Sequence, residues 1–88
     1  MDKKLKAKWI KALRSGNFKQ LKGRYYDRES NRYCCIGVLG RIAQGDSYTG
    51  SGHATLETKL GEHCQELIDM NDSGKSFKRI AAYIEAKL

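Results

Sequence analysis

Residues 32–40 read RYCCIGVLG, two adjacent cysteines followed by an apolar run that two glycines interrupt. The residues before the cysteines favour β-structure, whereas the apolar residues after them recur at helical spacing. We therefore predict that Cys34 ends a strand and that Cys35 begins a helix. Gly37 and Gly40 each lower helix propensity by about 1 kcal/mol relative to alanine, so we expect another element to approach the helix closely at both positions.

The segment leading into the cysteines, GRYYDRESNRYC, is rich in tyrosine and contains a turn signal at residues 29–31. It predicts a β-hairpin with strands at residues 24–28 and 32–34. Because an isolated hairpin is marginally stable in water, it must pack against a helix. We expect Trp9 and Phe18 to contact one of its faces.

Helices are predicted on both sides of the hairpin. Residues 3–15, KKLKAKWIKALRS, have an apolar stripe at a period of 3.6, and Gly16 is expected to end that helix. Residues 62–71 form a second amphipathic segment. Residues 76–88 form a third, for which Ser76 is a typical N-cap.

The segment between the cysteine stretch and the last two helices is less regular. Residues 45–54, GDSYTGSGHA, are typical of an exposed and mobile loop, and residues 55–60 are expected to add a third strand. Residues 1–88 are thus predicted to be one α+β domain, in which a small antiparallel hairpin or three-stranded sheet packs on an N-terminal helix and a C-terminal helix pair. The core is expected to contain Trp9, Cys34, Cys35, Leu39, Phe77, Ile80 and Ile84.

The composition is that of a small globular protein. The chain has 88 residues, of which 40% are hydrophobic, and no apolar run approaches the roughly 18 residues that span a bilayer. We expect no membrane association and no secretory signal, and therefore a place in the cytoplasm. Three cysteines make a poor disulfide framework, so the thiols are expected to be free.

The net charge of +7 is concentrated in the first third of the chain. Residues 1–28 contain ten Lys or Arg against two Asp, or +8, and the remainder carries −1. This asymmetry predicts a negatively charged partner, whether nucleic acid, a nucleotide or an acidic protein surface, although a solubilising surface is the alternative. The predicted binding residues are Lys4, Lys11, Arg14, Lys19, Lys22, Arg24, Tyr25 and Tyr26.

Other kinds of site have weaker support. A nucleotide-like ligand could be held by Arg14, Tyr25, Tyr26 and His53, and Cys35 with His53 as base could form a cysteine-dependent enzyme. A zinc site would have to use Cys34, Cys35, His53, His63 and Cys64, but adjacent ligand pairs are poorly spaced for one ion. We therefore expect no catalytic activity, no metal and no cofactor.

Three blocks, WIKALRSGNFKQ at 9–20, RYCCIGVLGRIA at 32–43 and LIDMNDSGKSFKRIAAYIE at 67–85, carry a family resemblance. Together they resemble a widespread group of small bacteriophage and prophage proteins of uncharacterised function. The resemblance implies an accessory protein that acts in the host cytoplasm by binding. It favours an inhibitor of a host defence protein or nucleoprotein, in the manner of anti-CRISPR proteins.

Overall fold

The computed structural model describes residues 1–50 and 54–88. Within these ranges the chain forms an α+β fold, as predicted, with a short 3₁₀ turn at Gly45–Ser47. The helices are α1 (Lys3–Ser15), α2 (Cys35–Gln44), α3 (Ala54–Leu60), α4 (His63–Asp72) and α5 (Phe77–Lys87). The strands are β1 (Lys19–Gln20), β2 (Tyr26–Asp27) and β3 (Arg32–Tyr33).

The three strands form a small mixed sheet in the order β1-β3-β2. The predicted hairpin is confirmed, since β2 and β3 are antiparallel, although each strand is shorter than expected. β1 runs parallel to β3, with Lys19 opposite Arg32 and Gln20 opposite Tyr33. The predicted contact between Phe18 and the hairpin is also present, since its ring meets that of Tyr33 edge-on at 5.2 Å.

The prediction of a strand at residues 55–60 is wrong, because this segment belongs to helix α3. Leu56 and Leu60 are spaced four residues apart, so a helix places both on one face, and both are buried. The same two positions also share one face of a strand, so their spacing alone could not separate the two structures. The third strand comes instead from β1, directly after α1.

The predicted loop at residues 45–54 is irregular only in part, because Gly45–Ser47 forms a 3₁₀ turn and Ala54 begins α3. Tyr48 is buried, and its ring packs against Gly40 of α2, so an exposed loop was the wrong expectation at this position. The tyrosine in this glycine- and serine-rich segment was the sequence feature that could have indicated a buried side chain. Residues 51–53, which include His53, lie outside the described residues.

Side-chain caps fix the ends of the two outer helices. Asp2 accepts a hydrogen bond from the Leu5 N–H at 2.8 Å, and Gly16 ends α1 in the left-handed conformation with φ 79°. Ser76 caps α5 by accepting from the Arg79 N–H at 3.2 Å. All seven predicted core residues are buried. None of the helices in the described ranges has the length and apolar character that crossing a membrane requires.

Candidate functional site

The two adjacent cysteines form the junction between the sheet and α2. Cys34 is the N-cap of α2, and its Sγ accepts a hydrogen bond from the Gly37 N–H at 3.3 Å. The Cys35 thiol points into the core and donates to the Leu67 carbonyl at 3.5 Å. Trp9 of α1 donates from Nε1 to the Cys35 carbonyl at 2.8 Å, so the first helix is tied to the same point.

Burial makes both thiols weak acids. Removal from water raises the pKa of the Cys34 thiol to about 11 and raises the pKa of the Cys35 thiol further above its usual range. A thiol must ionise to act as a nucleophile or a metal ligand, so both positions are suited to packing. Within residues 1–50 and 54–88, no group of three or more His, Cys, Asp or Glu side chains could hold a metal ion. His53, the predicted base for Cys35, lies outside the described residues.

The two glycines of α2 allow close approach by neighbouring elements, as predicted. A Cβ at Gly37 would overlap the backbone carbonyl of Tyr25, which itself accepts a hydrogen bond from the Cys34 N–H at 3.0 Å. A Cβ at Gly40 would overlap the ring of Tyr48. Helix α2 therefore packs directly on the backbone that leads into β2.

Asn71 of α4 completes the junction, and the sequence analysis did not single it out. Its side chain is 1% exposed. The Oδ1 atom accepts from the Cys35 N–H at 3.2 Å and from the Gln20 amide at 3.0 Å, while Nδ2 donates to the Leu21 carbonyl at 2.7 Å. One amide thus joins α4 to the start of α2 and to the end of β1. One feature of the sequence could have indicated this role. Asn71 lies four residues after Leu67, shortly before the turn glycine Gly74, at a position where an apolar residue would continue the buried stripe of the helix.

A cleft of about 220 Å³ lies beside this junction, between the β1–β2 connection and α4. It is lined by Gly23, Arg24, Tyr25, Cys34, Ile68, Asn71 and Asp72. The Asp72 Oδ1 atom accepts from the Gly23 N–H at 2.9 Å, which holds the two walls together. The Tyr25 hydroxyl donates to Glu57 of α3 at 2.6 Å, and this bond raises the pKa of that hydroxyl.

The outer face of α1 is strongly basic. α1 contains six basic residues and no acidic ones. Lys4, Lys8 and Lys11 are exposed and share one face through their spacing of four and three residues. Among the described residues, Arg14 with Glu85 at 3.2 Å and Arg41 with Asp46 at 2.8 Å form the ion pairs, so these three lysines are unpaired.

The structure divides the predicted binding residues into two groups. Lys4, Lys11 and Arg14 belong to α1, which packs mainly on α5 and α2. The others follow α1 in the sheet and its connections: Lys19, Lys22, Arg24, Tyr25 and Tyr26.

Within the second group the side chains have different surroundings. The Lys22 ammonium lies near Gly74, in the turn between α4 and α5, and Arg24 lines the cleft. The Tyr26 ring is half-buried and stacks on Tyr33 at 4.6 Å. Tyr25 and Tyr26 therefore make internal contacts. Of the residues predicted to hold a nucleotide, Arg14 pairs with Glu85 of α5 and Tyr25 lines the cleft, while His53 lies outside the described residues.

The chain was compared with family models, curated proteins and solved structures. No curated protein and no solved structure matches it. One family model does, over residues 1–49, a range that holds α1, the sheet, the cysteine junction and α2. Since the match covers more than half of the sequence, the chain belongs to the family described as a domain of unknown function, DUF8296.

Proposed function

We propose that this protein is a non-enzymatic binding protein whose outer α1 face contacts the phosphate backbone of nucleic acid in a host nucleoprotein. The observation that carries the proposal is a set of exposed lysines, Lys4, Lys8 and Lys11, that form no ion pair within residues 1–50 and 54–88. The resemblance to small phage proteins supplies the biological setting. In that setting, occupation of the nucleic-acid path inhibits a host defence nucleoprotein.

The spacing of these lysines suits a phosphate backbone. With a helical rise of about 1.5 Å per residue, Lys4, Lys8 and Lys11 lie about 6 and 4.5 Å apart along α1. Flexible ammonium groups at these distances can each approach a phosphate without reading base edges. Tyr25 and Tyr26 are engaged in internal contacts, which favours phosphate contact over base stacking. The expected binding is therefore insensitive to sequence and sensitive to salt.

The cysteine junction supports a binding role over catalysis. A catalytic thiol needs a lowered pKa and access to substrate, whereas Cys34 and Cys35 are buried and their pKa values are raised. Their atoms are engaged in capping and packing contacts with Gly37 and Leu67.

The proposal is tested by charge reversal with a matched control. The α1 variant reverses the charge of the face with three substitutions, Lys4→Glu, Lys8→Glu and Lys11→Glu. The control variant makes the same change in net charge at exposed positions outside α1, with Lys59→Glu, Lys75→Glu and Lys78→Glu. Binding is measured by fluorescence anisotropy with a labelled DNA duplex and an RNA strand. If about four phosphates are neutralised, wild-type affinity for the duplex falls about 100-fold between 50 and 200 mM salt. The α1 variant should lose this binding while the control variant keeps most of it.

Capture from host cells then separates nucleic acid from protein contact. Wild-type protein should retain a nucleoprotein whose capture is lost after nuclease treatment, and the α1 variant should retain none. Equal binding by the two reversed variants would reject the α1 face and leave solubility as its role. Nuclease-resistant capture would assign the face to an acidic protein surface instead.

A further inference from the structure

We propose that the cleft between the β1–β2 connection and α4 binds a small zwitterion with an aliphatic side chain, such as a branched-chain α-amino acid. This inference is independent of the α1 face. It rests on two opposite charges, Arg24 and Asp72, that line one cleft without forming an ion pair with each other. A ligand that carries both an ammonium and a carboxylate would satisfy both.

Asp72 presents an oriented carboxylate to the cleft. Its Oδ1 atom accepts from the Gly23 N–H at 2.9 Å and from the Asn71 amide at 3.3 Å, and these bonds fix the orientation of the group. Among the residues that the structure describes, Oδ2 has no hydrogen-bond partner. A preoriented, half-used carboxylate is well suited to bind an ammonium group, because little side-chain freedom is lost on binding.

Arg24 supplies the opposite charge. It is exposed and forms no ion pair with any residue in the described part of the chain. A guanidinium binds a carboxylate through two parallel hydrogen bonds, which fixes direction as well as charge. Asp27 attracts Arg24 electrostatically, but its carboxylate is held by the Ser30 hydroxyl at 2.6 Å and by turn backbone and forms no ion pair with the guanidinium within the described residues.

The remaining lining fits an aliphatic group. Ile68 and the Tyr25 ring contribute apolar surface, and Cys34 contributes a thiol that stays protonated at neutral pH. The volume of about 220 Å³ equals that of about seven water molecules in the liquid and lies below the range of drug-sized sites. A nucleotide is disfavoured by size and by repulsion between its phosphates and Asp72.

The test is an NMR titration of the ¹⁵N-labelled full chain with L-leucine and L-isoleucine. For a ligand of this size we expect a dissociation constant of about 1 mM, with shifts at the amides of Gly23, Arg24, Ile68 and Asp72. Leucinamide lacks the carboxylate and 4-methylpentanoate lacks the ammonium, so each should bind at least about tenfold more weakly.

Two variants assign the charges. Asp72→Asn keeps the oxygen that accepts from Gly23 but removes the charge, and Arg24→Gln removes the guanidinium. Each should weaken leucine binding at least about tenfold, while the controls Asp69→Asn on α4 and Arg79→Gln on α5 should leave it unchanged. If the Asp72→Asn protein does not fold, the exposed Arg24→Gln variant still tests the proposal.

Three results would contradict the proposal. The absence of cleft shifts up to about 20 mM amino acid would overturn the proposal. So would binding that persists in Arg24→Gln or that leucinamide matches. The α1 triple variant should bind leucine as the wild type does, so failure of this site and failure of the nucleic-acid face are separate results.

Discussion

Replacing Asn71 with leucine tests whether one buried amide holds the junction together. Leucine has the same number of side-chain heavy atoms and the same branching, so the change removes hydrogen bonds without opening a cavity. The Cys35 N–H and the Leu21 carbonyl would lose their partner in Asn71, whereas the Gln20 amide would keep its bond to the Lys75 carbonyl at 2.8 Å. The Cys34 thiol cannot replace Asn71, because it already caps the Gly37 N–H.

The expected loss follows from the groups left unpaired. Each buried polar group without a partner costs about 1–3 kcal/mol, and burial of the leucine side chain offsets part of the cost of two such groups. We expect the free energy of unfolding to fall by about 3 kcal/mol. A chain of this length is stable by roughly 4–13 kcal/mol, so the loss is a large fraction of the total. The corresponding fall in Tm is about 15 °C.

Urea denaturation followed by far-UV circular dichroism measures this loss. The control is Asn17→Leu, the same substitution at an exposed position just after α1, which should change the free energy by less than about 0.5 kcal/mol. An Asn71→Leu variant that loses under about 1 kcal/mol with an unchanged denaturant slope would refute the assignment of the junction to this amide.

Two further predictions concern the cysteine helix. Gly37→Ala places a methyl group on the Tyr25 carbonyl and should lower the free energy of unfolding, measured by urea denaturation, by about 3 kcal/mol. The control Gly61→Ala should lower it by about 1 kcal/mol, because space is open there and only the positive φ opposes a side chain. Equal losses in the two variants would contradict close packing at Gly37. Folding raises the pKa of Cys34 to about 11, so the folded state keeps a proton that the unfolded chain loses first. This thiol's contribution to stability, present below about pH 9, should therefore fall by about 2 kcal/mol toward pH 11. Cys34→Ser keeps a capping oxygen and should make the decline between pH 8 and pH 10.5 smaller by about 2 kcal/mol, while Cys35, whose pKa is also raised, still contributes. An identical decline in both proteins would contradict the prediction.

The parts of the fold that the sequence predicts are those with local causes. α1 and α5 have an apolar stripe and a capping residue at the predicted place, and both formed as expected. Gly37 and Gly40 predicted close neighbours because glycine in a helix needs a compensating contact, although the sequence could not identify Tyr25 and Tyr48 as those neighbours.

The parts that sequence reasoning missed depend on tertiary distances. β1 has two residues and exists because it pairs with β3, so no periodicity marks it. Leu56 and Leu60 fit a strand and a helix equally well, and packing decided for the helix. The cleft combines Arg24 with Asp72, which are far apart in sequence and are brought together by the Gly23–Asp72 hydrogen bond.

The contacts of its buried face explain why α1 can carry so much charge. Lysines four residues apart on a helix repel each other by about 0.2–0.5 kcal/mol per pair, and α1 contains no acidic residue to offset this. Its inner face is fixed independently, because Trp9 is fully buried and donates to the Cys35 carbonyl. The charge on the outer face can therefore be reversed without removing the contacts that hold the helix. A loss of binding in the reversed variant, with the Trp9 contact intact, would then report the surface and not the fold.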